Sequence, residues 1–224
     1  MKQLVAVTGA SGALGSAVAR HLAEAGYSVA AIDLTQGGAA QIAGVTAIGG
    51  VDLADPDAAV QAFAKLEARG GLHGLVNVAG GFAWETLAEG GIETWDAMYR
   101  INLRTAVNAC KAALPMLSRG SAIVSIGALG SIAPGVGMAA YAASKSGVAR
   151  LTESLAEELK GRGIRVNAVL PSIIDTPTNR RDMPDADFAT WVAPEALARV
   201  IAFLLGDAAA PITGALLPVA GPVT

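Results

Sequence analysis

Short apolar runs alternate with longer helical stretches along the whole 224-residue chain, and few folds accommodate that rhythm. The strand candidates are Leu4–Thr8, Ser28–Asp33, Thr46–Gly49, Gly74–Val78, Ala122–Ile126, Ile164–Leu170 and Ala215–Val219. Each is short, apolar and bounded by Gly, Asp, Asn or Pro, the pattern of strands buried on both faces. Helical stretches lie between them at Ala13–Ala25, Asp55–Ala68, Thr94–Leu117, Ala140–Lys160 and Pro194–Leu205. Strand and helix in alternation imply parallel strands joined by right-handed crossovers. The expected fold class is therefore α/β, a doubly wound parallel sheet of Rossmann type. With no long linker, low-complexity tract or internal repeat, residues 1–224 read as one domain. The stretch at 171–193, rich in Pro and Asp at its start, reads as a loop and candidate substrate lid.

Composition narrows the function. Hydrophobic residues make up 53% of the chain and charged ones 16%, enough for a sizeable core and against disorder. The net charge is -3 with Lys and Arg scattered, so nothing marks a nucleic-acid or anionic-membrane partner. Two histidines and a single cysteine, Cys110, offer no metal-ligand spacing and no intrachain disulfide. The N-terminus runs straight into a strand pattern without a signal-peptide signature, so a cytoplasmic protein is expected.

The first strand leads into Thr8-Gly9-Ala10-Ser11-Gly12-Ala13-Leu14-Gly15, and a helix follows. A helix N-terminus presents free N–H groups and a positive dipole end to a pyrophosphate, and glycines allow close approach. A glycine turn alone is weak evidence; strand before and helix after supply its proper context. Asp33 ends the second strand, 18 residues past Gly15. An acid there accepts from both ribose hydroxyls of NAD and repels the 2′-phosphate of NADP. No Arg or Lys lies between Ile32 and Gln41, so NAD(H) is expected over NADP(H). Asp52 and Leu53 are candidates for the adenine edge, while Asp52 or Asp55 could instead cap the next helix.

Tyr141-Ala142-Ala143-Ser144-Lys145 lies in a helical stretch, and i, i+4 spacing puts Tyr141 and Lys145 on one face. A neighbouring ammonium lowers a phenol's pKa, so Lys145 is expected to tune Tyr141 as a general acid or base.

With these residues the chain resembles the short-chain dehydrogenase/reductase family from Gln3 to about Ala220. Asn77-Val78-Ala79-Gly80 looks like the family's Asn-Asn-Ala-Gly element, which places Asn77, Ala79 and Gly80 beside the cofactor. Asn102 matches the helix asparagine that holds a proton-relay water. Tyr141 and Lys145 match the catalytic pair, with Lys145 also binding the nicotinamide ribose. Pro171-Ser172-Ile173-Ile174-Asp175-Thr176 resembles the segment that binds the nicotinamide carboxamide, through Thr176 and the backbone of Ile174. Two departures stand out. Ala13 takes the place of the middle glycine. Ala128, 13 residues before Tyr141, takes the place of the catalytic serine. Ser125 reads as a buried strand residue and Ser131 as a loop residue; either could replace that serine only through a shifted backbone.

One branch of the family, the dihydropteridine reductases, shares both departures. The chain resembles it in Gly12-Ala13-Leu14-Gly15, in Val78-Ala79-Gly80-Gly81-Phe82 and in Asp175 to Phe188 with Trp191 in register. Asn102 departs from that branch. The resemblance implies an NADH-dependent reductase that delivers hydride to a conjugated ring such as a quinonoid dihydropteridine, with Tyr141 as proton donor. Alternatives are a ketone or alcohol dehydrogenase lacking the usual serine, and a non-catalytic dinucleotide-binding sensor or scaffold. Phe82 could stack on a flat substrate or pack under the lid. Trp84, Trp95 and Trp191 read as core or interface, Arg180 and Arg181 as part of a solvated charge run. His21 and His73 carry no assigned role, and Tyr27 and Tyr99, without lysine partners, read as structural. The apolar stretches Thr94–Leu117 and Ala140–Lys160 imply, through the family, a homodimer or homotetramer.

Overall fold

The computed structural model describes residues 2–37 and 41–221; Met1, residues 38–40 and residues 222–224 of the expected domain lie outside them. Seven parallel strands form one sheet: β1 (Leu4–Thr8), β2 (Ser28–Ile32), β3 (Val45–Ile48), β4 (Leu72–Asn77), β5 (Leu117–Ile126), β6 (Arg165–Pro171) and β7 (Leu216–Val219). Their spatial order is β3-β2-β1-β4-β5-β6-β7. The chain winds outward from β1 to β3, then crosses back to add β4 on the other side. That reversal places a crevice beyond the carboxyl ends of β1 and β4, where ligands bind in such sheets.

Alternation along the strands feeds two cores. In β1, Leu4 and Ala6 join a cluster with Phe63, Leu66, Ala109 and Leu155. Val5 and Val7 point the other way, to a cluster with Val18, Leu22, Leu197 and Ile201. Helices α1 (Ala13–Glu24) and α7 (Pro194–Leu205) cover the second face. Helices α2 (Pro56–Ala64), α4 (Thr105–Ala113) and α5 (Ala139–Lys160) cover the first. Burial on both faces explains the continuous apolar runs in the sequence.

The structure corrects three elements. The expected single helix Thr94–Leu117 is three pieces: α3 (Ile92–Met98), a π-helical segment at Tyr99–Arg104, and α4, which ends in a 3-10 turn at Leu114–Met116. Apolar periodicity cannot reveal a π insertion, because the chain stays helical through it. Strand β5 begins at Leu117 rather than Ala122. Leu117 pairs with Leu72 ahead of a register break, and Ala122 resumes the ladder opposite Gly74. The segment at 171–193, expected to be loop, contains a helix, α6 (Pro177–Asp182). Its start is specified locally: Pro177 fits the first helical position, and the Thr176 Oγ1 accepts from the Asn179 N–H at 3.1 Å.

Candidate active site

The glycine turn is built by close approach. Gly9 sits at φ +63°, a conformation L side chains rarely adopt, and a Cβ there would come within 2.7 Å of the Ala79 backbone. A Cβ on Gly15 would collide with the Gly9 carbonyl. Gly12 differs: it is exposed, begins α1, and a Cβ there would meet only the Gly9 oxygen at 3.4 Å. Gly9 and Gly15 thus pack the turn against β4 and itself, whereas Gly12 faces open space. Ala13, in the position of the missing glycine, is also exposed, and the Leu14 side chain is buried in the core. Thr8 ties the crevice together, its hydroxyl accepting from the N–H groups of Val78 and Ala79 at 3.1 and 3.2 Å.

Asp33 is half-buried at the end of β2. Its carboxylate accepts from the Ser11 N–H and the Thr35 N–H, each at 2.8 Å. The acid is therefore fastened to the glycine turn itself. Asp55, not Asp52, caps α2, accepting from Asp57 N and Ala58 N. Asp52 accepts from Ala54 N at 2.9 Å and pairs with Arg100 of the π segment. Leu53 is buried, and its carbonyl accepts from Asn108 Nδ2 at 2.9 Å.

Helix α5 carries Tyr141 in its first turn and Lys145 one turn on. Lys145 is 6% exposed, and its Nζ donates to the Ile126 carbonyl at 2.8 Å. Burial pushes the Lys145 ammonium down to about 8 and the Tyr141 phenol up to about 12. This corrects the expectation that Lys145 lowers Tyr141. In the protein alone, loss of water governs both groups and favours both neutral forms. At neutral pH Tyr141 holds its proton and Lys145 is mostly charged.

Asn102 is buried within the π segment, and its side chain is fully committed. Its Oδ1 accepts from Gly81 N, and its Nδ2 donates to Gly81 O and to Ser144 Oγ, all at 3.0 Å. Ser144 in turn donates to the Tyr141 carbonyl at 2.7 Å. Gly80 permits this clamp, since a Cβ there would come within 2.5 Å of Asn102 Oδ1. Asn77, at the end of β4, donates to Cys110 Sγ at 3.3 Å and Ser125 Oγ at 3.2 Å. Phe82 lies edge-on to Tyr141, with ring centroids 4.9 Å apart and planes at 77°.

Ala128 is 5% exposed and no nearby serine replaces it. Ser125 is buried against Asn77, and Ser131 donates back to the Ala128 carbonyl at 2.7 Å. Pro171 ends β6, and Ile174 forms a parallel bridge with Val192. The Ile174 carbonyl accepts from Asn179 Nδ2 at 2.8 Å. Arg180 is not simply solvated: it holds Asp175 through two bonds of 2.6 and 2.7 Å and lies over the Phe188 ring. Trp191 is buried beside Phe188, as a structural reading expects; Trp84 is exposed.

Contacts join Gly9 to Gly15 and Ala79, Asp33 to the glycine turn through Ser11, and Gly80 to Asn102 and Lys145, all residues that the sequence reading singled out. That reading missed Thr8 and Ser144. Thr8 had a local signal, a hydroxyl at the end of the first strand beside the turn. Ser144 had none, because its role depends on Asn102, 42 positions away.

The crevice fits a dinucleotide. Two buried polar atoms, Ser11 Oγ and Asn77 Oδ1, have no partner in the protein. Orphans of this kind are costly unless a ligand satisfies them. Ser11 immediately precedes the exposed helix N-terminus at Gly12, and Asn77 ends β4, the strand paired with β1. Among the described residues no group of three or more His, Cys, Asp and Glu is placed to hold a metal, and no helix is long and apolar enough to cross a membrane.

A doubly wound parallel sheet with this turn at its first crossover is a dinucleotide-binding arrangement, and the family to which the chain belongs makes the protein an NAD(P)-dependent oxidoreductase. A family model described as short chain dehydrogenase matches residues 3–187. The chain belongs to that short-chain dehydrogenase/reductase family. It is 32% identical to 2-(S)-hydroxypropyl-CoM dehydrogenase 3 of Xanthobacter autotrophicus, over 99% of this chain and 96% of the relative. It is 36% identical to the inactive 2-(S)-hydroxypropyl-CoM dehydrogenase 2 of the same organism, over 92% of this chain and 99% of the relative. Among solved structures, a short-chain dehydrogenase/reductase (glucose/ribitol dehydrogenase) from Brucella melitensis superposes with a TM-score of 0.90 at 29% identity, covering 98% of this chain and 97% of the other.

Proposed function

We propose that the protein is an NADH-dependent reductase that transfers hydride to a conjugated ring, with a quinonoid dihydropteridine as the model substrate. The observation that carries this reading is Ala128. A substrate that develops an alkoxide needs a hydroxyl donor at that position, and Ser125 and Ser131 both have other partners. A conjugated ring spreads the incoming charge and needs that donor less.

When bound, the dinucleotide supplies the hydride. Backbone groups of Gly9, Ser11, Gly12, Ala13, Leu14 and Gly15 receive its pyrophosphate, and Asp33 receives the adenine ribose. Asp52 and Leu53 border the adenine, although Arg100 already engages Asp52. Asn77, Ala79 and Gly80 border the nicotinamide side, where the free Asn77 Oδ1 gains a partner. Pro171, Ile174 and Thr176 orient the carboxamide, with residues 171–193 as the lid over the substrate. Lys145 turns from the Ile126 carbonyl to the nicotinamide ribose. Tyr141, protonated at neutral pH, gives its proton to the substrate. Asn102, its side chain fixed by Gly81 and Ser144, holds the relay that returns a proton to Tyr141. We read the protein as cytoplasmic and, from the family resemblance, as a homodimer or homotetramer.

The deciding experiment follows NADH oxidation with freshly generated quinonoid dihydropterin beside a panel of ketones and quinones. Fast pterin turnover is the expected result; turnover of ketones alone would discard the ring substrate. Asp33→Ser is expected to lower the NADH-to-NADPH ratio of kcat/KM by about tenfold or more, since it removes a ribose acceptor and a charge facing the 2′-phosphate. Steady-state kinetics with both cofactors checks this.

A second reading, a ketone or alcohol dehydrogenase that works without the serine, is favoured by relatives named as dehydrogenases of alcohols. On that reading Ala128→Ser raises the ketone reduction rate by about tenfold or more. No gain in rate would count against it. A sensor without turnover would bind NADH and oxidise it with none of the panel. The inactive relative keeps that outcome in view, and the intact Tyr141 and Lys145 argue against it.

A further inference from the structure

Two loops flank Tyr141: residues 78–91 after β4, whose Phe82 lies against its ring, and residues 127–138 after β5, which lead into its helix; residues 171–193 follow β6 as the expected lid. Phe82, Trp84, Ile132, Val136, Ile173 and Met183 project from them and are all exposed. Phe82 and Trp84, exposed beside the start of α5, mark a binding surface. The two aromatic ones are fixed differently. Phe82 leans on the Tyr141 ring. Trp84 is 59% exposed yet seated, its indole packed on Gly137 so closely that any Cβ there would strike the ring. The Glu85 N–H donates to the Gly137 carbonyl at 2.9 Å and locks that seat. Gly137 leads into the first turn of α5, which carries Tyr141. The exposed indole therefore lies against the segment that leads into the helix of Tyr141, two residues along the loop from Phe82.

The charges around this mouth are equally informative. Residues 127–138 contain no charged side chain, and residues 78–91 contain only Glu85 and Glu89. The only cations of the three loops are Arg180 and Arg181. Arg180 is held by Asp175 with two bonds, and Arg181 faces Asp182 at 3.5 Å. In the two loops that flank Tyr141, residues 78–91 and 127–138, there is no Lys or Arg to receive an anionic group on a substrate.

We propose that the substrate is uncharged, flat and at least two fused rings wide, and that Trp84 is the specificity-determining residue that holds the ring remote from the reaction. This rests on the reductase reading given above. The reacting ring lies by Phe82 and Tyr141, and the second ring extends onto the indole. In the step itself the ring gains a hydride, at the expense of reduced nicotinamide, and a proton from Tyr141; water then restores the tyrosine proton.

The test uses the full chain with NADH and three quinones: 1,4-naphthoquinone, its 2-sulfonate and single-ring 1,4-benzoquinone. The neutral two-ring compound is expected to have the highest kcat/KM, about tenfold above the sulfonate, although the sulfonate is the stronger oxidant. Trp84→Ala is expected to raise the naphthoquinone-to-benzoquinone ratio of KM values by about tenfold. Gly137→Ala, which unseats the indole without removing it, should move that ratio in the same direction. A merely structural Trp84 would shift both KM values together, and that result overturns the proposal while the reductase reading stands. Equal use of the sulfonate overturns the requirement for an uncharged substrate. NADH binding without turnover of any ring compound overturns both readings.

Discussion

Tyr141→Phe is expected to lower reductase turnover by about two to four orders of magnitude, the usual contribution of a positioned proton donor. NADH affinity should change less than about threefold, because the cofactor's anchors lie on the glycine turn and at Asp33. The variant should also fold normally. The hydrogen bond that Tyr141 receives goes to its backbone carbonyl, and its ring contact with Phe82 survives the loss of one oxygen. Single-turnover kinetics, NADH fluorescence titration and thermal melting together check this. Turnover within about twofold of wild type would remove Tyr141 from the chemistry.

Lys145→Met is expected to reduce kcat/KM about a hundredfold or more and yet to stabilise the protein. Burial holds the lysine at about 8 against an ordinary 10.5, a penalty of roughly 3 kcal/mol while the group is charged in both states. Losing the bond to the Ile126 carbonyl returns about 1 kcal/mol. The net gain at pH 7 is about 2 kcal/mol, a rise in Tm of roughly 5 °C for a chain of this size. The sign is set by linkage. Below pH 8 the folded protein carries the full penalty of a charged buried lysine. Between pH 8 and 10.5 the folded form releases the proton while the unfolded form keeps it, so wild-type stability rises with pH. Tyr141 acts oppositely above pH 10, where the unfolded phenol ionises and the folded one, at about 12, does not. Urea denaturation at pH 7 and pH 9.5 should show the rise in wild type and its absence in the variant. A variant less stable than wild type at pH 7 would contradict the burial argument.

Much of this molecule can be read from its sequence because its signals are local. Short apolar runs give strands, and the turn from Gly9 to Gly15 reports one strand, one helix and one crevice together. The spacing of Tyr141 and Lys145 is likewise a property of one helix. What stays hidden is decided across the chain. The π segment at Tyr99–Arg104 leaves the hydrophobic pattern unchanged and shows itself only through Asn102 meeting Gly81 and Ser144. The expected influence of Lys145 on Tyr141 followed from charge alone, whereas the depth of the pocket reverses its direction. Trp84 reads as a packing residue until Gly137 is placed beneath it.

The π segment also limits how this protein can change. A π turn holds one residue more than an α turn, so one residue removed between Tyr99 and Arg104 would restore regular winding, leaving the flanking turns in place but re-aiming the residues of the segment itself. Asn102 would leave Gly81, and Arg100 would leave Asp52, in one step. Substitutions can be explored here one side chain at a time, but a change of length cannot. The stretch therefore acts as a ruler: the number of residues between Asp52's partner and Ser144's partner is as much a part of the site as their identities.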